Sequence, residues 1–307
     1  MPYRTKRRGR RSYTRKAAPK RRSARASYGR RTYRKSSRSG RSMSKRRILN
    51  VTSRKKVDNM LVYSNVTAAT TQGSTTYAGA GAVMPATQQY IFPWCATARN
   101  SDASTTAKGT LTDTATRTAQ TCFMRGLREN IEITTNDGLP WQWRRICFTM
   151  KGTSLSTVIN GSAGMALTIE TSSGYVRVVN TAYGTNVVGA IQGGLFRGAA
   201  GVDWANIMTA PTDTTNIDIK YDKTVTIASG NEDGMIRNYR RWHPMNKNLV
   251  YNDDEQGGSE TFSAYSTTGK PGMGDYYVID IFQPRVGGTA NSVLRFEPSA
   301  TLYWHEK

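Results

Sequence analysis

Apolar and polar residues alternate over much of the chain beyond Asp58, and this period of two predicts half-buried β-strands. Residues 216–222 are the clearest case, because Ile, Ile and Tyr alternate there with charged or amide residues. Residues 131–134 and 146–151 repeat the pattern. The remaining strand candidates are residues 60–66, 165–171, 175–180, 276–282, 293–297 and 301–304. Together with the region 216–228 they predict about eight to ten strands.

Helix signals are sparse. Asp203 is a candidate N-cap for a helix of barely two turns over residues 204–209, ending before Pro211. Strand and helix patterns do not alternate, so a parallel sheet is not expected. The sequence therefore predicts an all-β protein, a single antiparallel β-sandwich with a jelly roll as the leading topology. Residues 68–120, rich in Thr, Ala, Ser and Gly, are expected to form a surface excursion between early strands.

Charge divides the chain into two parts. Of its 44 Lys and Arg residues, 24 lie in residues 1–57, which contain no Asp or Glu. The other 250 residues hold 20 basic and 21 acidic side chains, so the formal charge of +23 belongs to the first segment. That segment also has no Leu, Ile, Val, Phe or Trp before Ile48. It cannot form a core, and the sequence predicts a disordered basic arm over residues 1–57 and one folded domain over residues 58–307.

The arm is expected to bind nucleic acid. Dense positive charge attracts polyphosphate by releasing condensed counterions, and arginine and the four interspersed tyrosines can stack on the bases of a single strand. A membrane is a poorer partner because the arm lacks the apolar face of an interfacial helix. The arm residues expected to contact nucleic acid are Arg4, Lys6, Arg7, Arg8, Arg10, Arg11, Lys20, Arg21, Arg22, Arg30 and Arg31.

Two segments of the folded domain combine tryptophan with arginine. Residues 141–145 read Trp-Gln-Trp-Arg-Arg, and residues 237–242 read Arg-Asn-Tyr-Arg-Arg-Trp. One interpretation is stacking on bases and neutralisation of phosphates, for which Arg144 and Arg145 are the better candidates. The other, which the sequence favours, is that the tryptophans pack in the core or at subunit contacts and the arginines pair with carboxylates.

A second expectation for the basic clusters is nuclear import. Lys45, Arg46 and Arg47 are followed at short distance by Arg54, Lys55 and Lys56. Together they match the loose pattern of a bipartite signal for a nuclear import receptor, a pattern common in any Arg-rich tail.

Enzymatic signatures are missing from the sequence. The two histidines, His243 and His305, have no metal-binding spacing, and the three cysteines form no C-x-x-C pair. Neither a nucleophile elbow nor a Walker loop is present, and residues 253–255 read as an acidic turn rather than a cation site. We therefore expect no enzyme, no catalytic residues, no cofactor and no metal, and the cysteines are expected to be reduced thiols.

Four segments resemble the capsid proteins of genomoviruses, relatives of the geminiviruses. They are residues 50–60 (NVTSRKKVDNM), 140–148 (PWQWRRICF), 242–247 (WHPMNK) and 300–307 (ATLYWHEK). Val57 departs from the family pattern, which has arginine there. The resemblance implies a single viral jelly roll, a T=1 shell of about 60 subunits and packaging of circular single-stranded DNA. It also implies that the protein is located in the virion and, during assembly, in the nucleus of the host cell.

Two hypotheses follow. The first is a structural protein that assembles into a shell around single-stranded DNA. The alternative is a monomeric nucleic-acid-binding protein, associated with chromatin or ribosomes, that carries a basic extension. A third class, an enzyme on a β-sandwich such as a glycosidase, lacks recognisable paired carboxylates. A neutral domain attached to a separate basic arm favours the first hypothesis, since a chromatin-type protein usually spreads its charge over the folded domain.

Overall fold

The computed structural model describes residues 43–101 and 111–307. Fifteen strands and three helices are assigned there. The helices are α1 (Lys45–Thr52), α2 (Ser154–Asn160) and α3 (Thr185–Leu195). The strands are β1 (Arg54–Met60), β2 (Val62–Ser64), β3 (Ala82–Pro85), β4 (Tyr90–Cys95), β5 (Thr121–Thr135), β6 (Trp141–Met150), β7 (Glu170–Thr171), β8 (Gly174–Tyr175), β9 (Arg177–Val179), β10 (Asp218–Ile227), β11 (Met235–Val250), β12 (Asp254–Gln256), β13 (Ser259–Thr261), β14 (Asp275–Pro284) and β15 (Val293–Glu306).

Nine of these strands form two antiparallel sheets. Sheet 1 has the order β1-β15-β5-β11, with β3 also paired to β15, and sheet 2 has the order β10-β6-β14-β4. Numbered one to eight along the chain, the long strands lie in the order 1-8-3-6 in one sheet and 2-7-4-5 in the other. This is the strand order of a jelly roll. The predicted fold class, an antiparallel β-sandwich, is confirmed.

Aromatic side chains fill the space between the two sheets. The Trp143 ring of β6 stacks on Phe282 of β14 at 5.8 Å, and Phe282 meets Phe296 of β15 at 4.9 Å. Phe92 of β4 also stacks on Phe296. Burial of large rings from both sheets supplies much of the hydrophobic stabilisation of the sandwich. β4 is an edge strand of sheet 2, yet all six of its residues are buried.

The outer surfaces of the two sheets differ. Ile146, Phe148 and Ile279 of sheet 2 point away from sheet 1 and are buried beneath apolar residues of α2, α3 and the segment that follows them. Sheet 1 keeps the alternation of a sheet with one wet face, since exposed and buried residues alternate along β5 and β15. We call this exposed outer surface of β1, β15, β5 and β11 the open face.

Several expectations for local structure were wrong. Residues 203–209 form turns rather than a helix. Residues 68–120 contain the buried strands β3 and β4, so the predicted surface excursion is interrupted by part of the core. The candidates 293–297 and 301–304 are one continuous strand, β15, and the candidate 165–171 contributes only the two residues of β7.

The folded domain also begins earlier than residue 58. The folded unit extends from Lys45 to Lys307 and includes α1 and all of β1. β1 pairs with the last strand, from Arg54 opposite Glu306 to Met60 opposite Ala300. The backbone hydrogen bonds of this pairing fix residues 54–57 in the sheet. The sequence assigned these residues to the arm because their charges resemble those of the arm.

Candidate nucleic-acid interface

Arg145, predicted to contact nucleic acid, lies between the sheets. Its guanidinium contacts Glu129 of β5 at 2.5 Å and Asp280 of β14 at 2.7 Å. Arg177 of β9 joins the same two carboxylates, at 3.1 Å and 2.9 Å. All four side chains are almost completely buried, and attraction to the arginines holds the pKa of Asp280 low despite the opposing effect of burial. We call these four residues the buried ion cluster.

Arg144 is also unavailable for DNA. It makes a bidentate contact with Asp222 of β10, at 3.0 and 2.7 Å, and donates hydrogen bonds to the carbonyls of Ile207 and Ala210. The prediction that Arg144 and Arg145 contact nucleic acid is therefore wrong, because both charges are satisfied inside the protein. The other interpretation of this segment applies: Trp141 and Trp143 are core residues and the arginines pair with carboxylates.

His243 gives the buried ion cluster a pH-dependent neighbour. Burial lowers its pKa to about 4, and Arg145 acts in the same direction, while Glu129 and Asp280 oppose the shift. The folded state therefore binds fewer protons than the unfolded state, in which histidine titrates near 6.5, across the range of about pH 4 to 6.5. The stability that neutral His243 contributes is complete above that range and is lost as the pH falls through it.

We expect the difference in unfolding free energy between the wild type and His243→Gln to change by about 2–3 kcal/mol between pH 6.5 and 4. The wild type loses more stability on acidification, because only it has a buried histidine at position 243 that folding must keep unprotonated. Urea unfolding of both proteins across this range measures the effect. Subtracting the two curves removes the contribution of other groups, among them Asp275, whose pKa burial raises to about 6. A difference that does not vary with pH would contradict the assignment.

The predicted import residues Arg54, Lys55 and Lys56 lie on β1, and they differ in exposure. Lys56 is buried, where its ammonium lies 3.9 Å from the carboxylate of Glu306 and donates to the carbonyls of Leu111 and Asp113. It is therefore not accessible to a receptor in the folded protein, which corrects its assignment. Arg54 and Lys55 are exposed, as is Lys45 at the start of α1. Arg46 and Arg47 belong to α1 as well.

The open face carries a basic and aromatic depression at one end. Five residues from β1, β5, β11 and β15 line a shallow hollow of about 430 Å³: Lys55, Arg125, Trp242, Tyr303 and His305. Trp242 is 50% exposed, although it is among the largest apolar side chains of the domain. Its indole meets the Tyr303 ring edge-on at 5.8 Å. We call these five residues the Trp242 patch.

Gly126 on β5 leaves room for the indole of Trp242 to lie against the sheet. The pairing of β5 with both neighbours is irregular around Gly126, which lies opposite Pro244 and Tyr303. A Cβ atom at Gly126 would lie 2.7 Å from Cζ2 of Trp242 and 2.6 Å from the carbonyl oxygen of His243. Only glycine lets the ring approach the backbone this closely. The exposed tryptophan is thus positioned on the sheet by a specific local structure.

The cations of the Trp242 patch lack acidic partners. Among the described residues, no carboxylate lies within 4.0 Å of the Lys55 or Arg125 charge; Lys55 donates to the carbonyl of Ser53 and Arg125 to the side chain of Asn246. Partial burial lowers the pKa of His305, and the charges of Lys55 and Arg125 lower it further. The hollow is therefore a place of positive potential that favours an anion.

The sequence had singled out residues of this patch separately but could not bring them together. Trp242 belonged to the second tryptophan-arginine segment, Lys55 to the import pattern, and Tyr303 and His305 to the C-terminal segment. Arg125 carried no signal at all. The predicted contacts Arg4 to Arg31 lie outside the described residues. The described ranges contain no cluster of His, Cys, Asp and Glu placed to hold a metal, and no helix in them is long and apolar enough to cross a membrane.

The three cysteines are buried and unbridged, as expected for reduced thiols. No protein-family model matches the chain, and no curated protein matches it either.

Proposed function

We propose that this protein is the structural capsid protein of a small virus with a circular single-stranded DNA genome. Its folded domain would form the subunit of an icosahedral shell, and its basic arm would bind the enclosed DNA. Three features support the proposal: a jelly-roll strand order, a basic segment without carboxylates, and the resemblance of four segments to genomovirus capsid proteins. Viral capsid domains are one of the groups that use the jelly roll, but the fold alone does not specify a function.

The observation that carries the proposal is the separation of charge. Residues 1–44 hold 18 of the 44 basic side chains and no acidic one. In the folded domain, by contrast, the buried cations are matched: Arg99 pairs with Asp58, Arg117 with Asp253, and Arg144, Arg145 and Arg177 pair as described above. The domain pairs these buried charges internally, whereas the arm has no acidic residue of its own, so the positive charge of the arm is available for an external polyanion.

Residues 45–56 connect the arm with the open face. The chain enters the folded domain through α1 and continues into β1, where Lys55 lines the Trp242 patch. The arm thus joins the domain at the edge of the sheet whose outer surface carries unpaired cations. This continuity favours an arrangement in which the open face and the arm contact the same nucleic acid, and the open face lines the interior of the shell.

Assembly separates this proposal from the monomeric alternative. We expect light scattering of the purified full-length protein to detect particles of about 2 MDa, which is the 34.0 kDa chain multiplied by about 60 subunits of a closed icosahedral shell. A homogeneous species of one chain mass that binds DNA, with no larger particle over a range of salt and pH, would favour the basic-extension protein and contradict the proposal.

We also propose a nuclear stage and recognition by a nuclear import receptor. In the folded protein, Lys45 of the first cluster is exposed, and the second cluster presents Arg54 and Lys55 but not Lys56. The first cluster lies in the first turn of α1, and Arg54 and Lys55 follow shortly after the end of that helix. The arm supplies additional basic clusters from Lys6 onward, so import would depend on several clusters rather than on one bipartite motif.

A further inference from the structure

We propose that the Trp242 patch is a binding site for single-stranded DNA on the folded domain, separate from the arm. One base stacks on the exposed indole of Trp242, and adjoining phosphates bind Lys55 and Arg125. The inference deepens the proposed packaging function and rests on it for the identity of the nucleic acid. It assigns part of the recognition to a fixed surface in addition to a charged arm.

The aromatic geometry suits one unstacked base. Tyr303 braces one edge of the indole at 5.8 Å, and Gly126 allows the ring to lie close to the sheet, so that half of its surface remains in solvent. A rigid, exposed indole stacks on any base without selecting its sequence. Four other tryptophans, Trp94, Trp141, Trp143 and Trp304, are core residues with about 1% of their surface exposed and offer no such platform.

The charges beside the indole suit phosphate. Lys55 and Arg125 come from different strands and meet at the same hollow, without a carboxylate within ion-pair distance. Arg128 lies opposite Trp242 in the β5–β11 ladder and is also exposed. By contrast, the exposed cations Lys220 and Arg295 each contact a carboxylate of their own strand. The patch is thus an uncompensated basic site within a domain that otherwise pairs many of its charges.

Single-stranded DNA fits this surface better than a second protein copy does. The patch would juxtapose like charges if it faced itself across a two-fold axis, because Lys55 and Arg125 would meet their own counterparts. Stacking platforms bordered by cations are a general solution for binding single strands. A duplex keeps its bases stacked on each other and so has none to offer to Trp242.

The test compares two oligomers that differ only in their bases. Full-length protein is titrated with a fluorescent oligothymidylate and with an abasic oligomer of the same length and charge, at salt concentrations that weaken phosphate binding. Because both oligomers have the same phosphates, the electrostatic contribution of the arm cancels in the ratio of their affinities. The wild type is expected to prefer oligothymidylate, and Trp242→Ala is expected to lower this preference about tenfold. The matched control Tyr183→Ala, which removes another exposed ring, should leave the preference unchanged.

A second variant tests the phosphate contacts. Replacing Lys55 and Arg125 together by glutamine is expected to weaken the binding of both oligomers to a similar degree. Arg285 is an exposed cation in the loop after β14, and its replacement by glutamine should have little effect on binding. Thermal unfolding checks that each variant is folded. If Trp242→Ala does not fold, the double glutamine variant of Lys55 and Arg125 provides the test. Equal affinity of the wild type for both oligomers, or an unchanged preference in Trp242→Ala, would overturn the site. Either result leaves shell assembly and arm-dependent binding intact, so the proposed function is judged separately.

Discussion

A chain that lacks residues 1–44 is expected to fold normally but to lose at least about a thousand-fold in affinity for single-stranded DNA at low salt. The truncation removes 18 basic residues and no acidic one, and it stops before Lys45, where α1 begins. Each phosphate that the arm neutralises releases counterions, so the full-length protein should also show a much steeper fall of affinity with salt. Fluorescence anisotropy with a labelled oligomer between about 50 and 200 mM salt measures both quantities.

The matched control keeps the length of the arm and changes only its charge. A full-length variant in which the basic residues of 1–44 are glutamine should behave like the truncated protein, because charge rather than length provides the affinity. Weak residual binding by both proteins is expected from the Trp242 patch. If the truncated chain bound DNA as tightly as the full-length chain and with the same salt dependence, the main binding site would lie on the folded domain and the arm would have another role.

Replacing Glu129 by glutamine is expected to destabilise the folded domain by about 3–5 kcal/mol. Glu129 is fully buried and accepts from both Arg145 and Arg177. Its neutral replacement leaves two buried arginines with Asp280 as their only carboxylate within the cluster, and an uncompensated charge in the core is costly. Urea unfolding followed by tryptophan fluorescence measures the loss of stability.

Glu132→Gln is the control for this prediction. Glu132 lies three residues further along β5 and is exposed on the open face, so the same chemical change there should alter stability by less than about 0.5 kcal/mol. A similar small effect at Glu129 would show that the buried ion cluster does not depend on a negative charge at this position. If the Glu129→Gln protein is insoluble while the Glu132→Gln protein is soluble, that result agrees with the expected severe loss of stability.

β5 and β15 alternate between exposed and buried residues, so parts of both strands were visible in the sequence as a period of two. Burial on both faces did not prevent the prediction of β14, whose first eight residues are buried, because aromatic and β-branched residues dominate it. The 16-residue β11 was missed although one of its faces is exposed, because consecutive charged residues and Pro244 interrupt its pattern. β4 was missed because all six of its residues are buried and it contains Pro93, which together hide both the alternation and the strand propensity. α3 was missed because its three glycines and the absence of a side-chain cap weaken every local helix signal.

The candidate interface was less predictable because it depends on contacts between distant residues. Arg144 and Arg145 adjoin tryptophan in the sequence, a composition typical of nucleic-acid contacts. Their carboxylate partners, however, lie 78 residues away for Arg144, and 16 and 135 residues away for Arg145. Conversely, Arg125 has no distinctive neighbours and enters the Trp242 patch only because β5 lies between β11 and β15. A sequence shows which residues carry charge, whereas the sheet order decides which charges remain unpaired.

In the proposed shell, the charge of the arm would also set a scale for the packaged genome. As a flexible coil, residues 1–44 would span roughly 35 Å, and self-repulsion would extend them further, so arms rooted on the inner wall would reach far into a small shell. About 60 subunits with 18 basic residues each in residues 1–44 would bring on the order of 1,080 positive charges against one negative charge per nucleotide. With small cations and other interior arginines, this corresponds to about 1.5–3 kilobases of single-stranded DNA.

The most direct test of a shell around single-stranded DNA is electron microscopy of the full-length protein, combined with nuclease digestion before and after the particles are disrupted. The account predicts shells of uniform size whose DNA resists nuclease while they are intact. After disruption, that DNA is degraded by a nuclease specific for single strands, and its length is about 1.5–3 kilobases. Protein that remains dispersed in the presence of single-stranded DNA, or particles whose nucleic acid is open to nuclease while they are intact, would contradict the account.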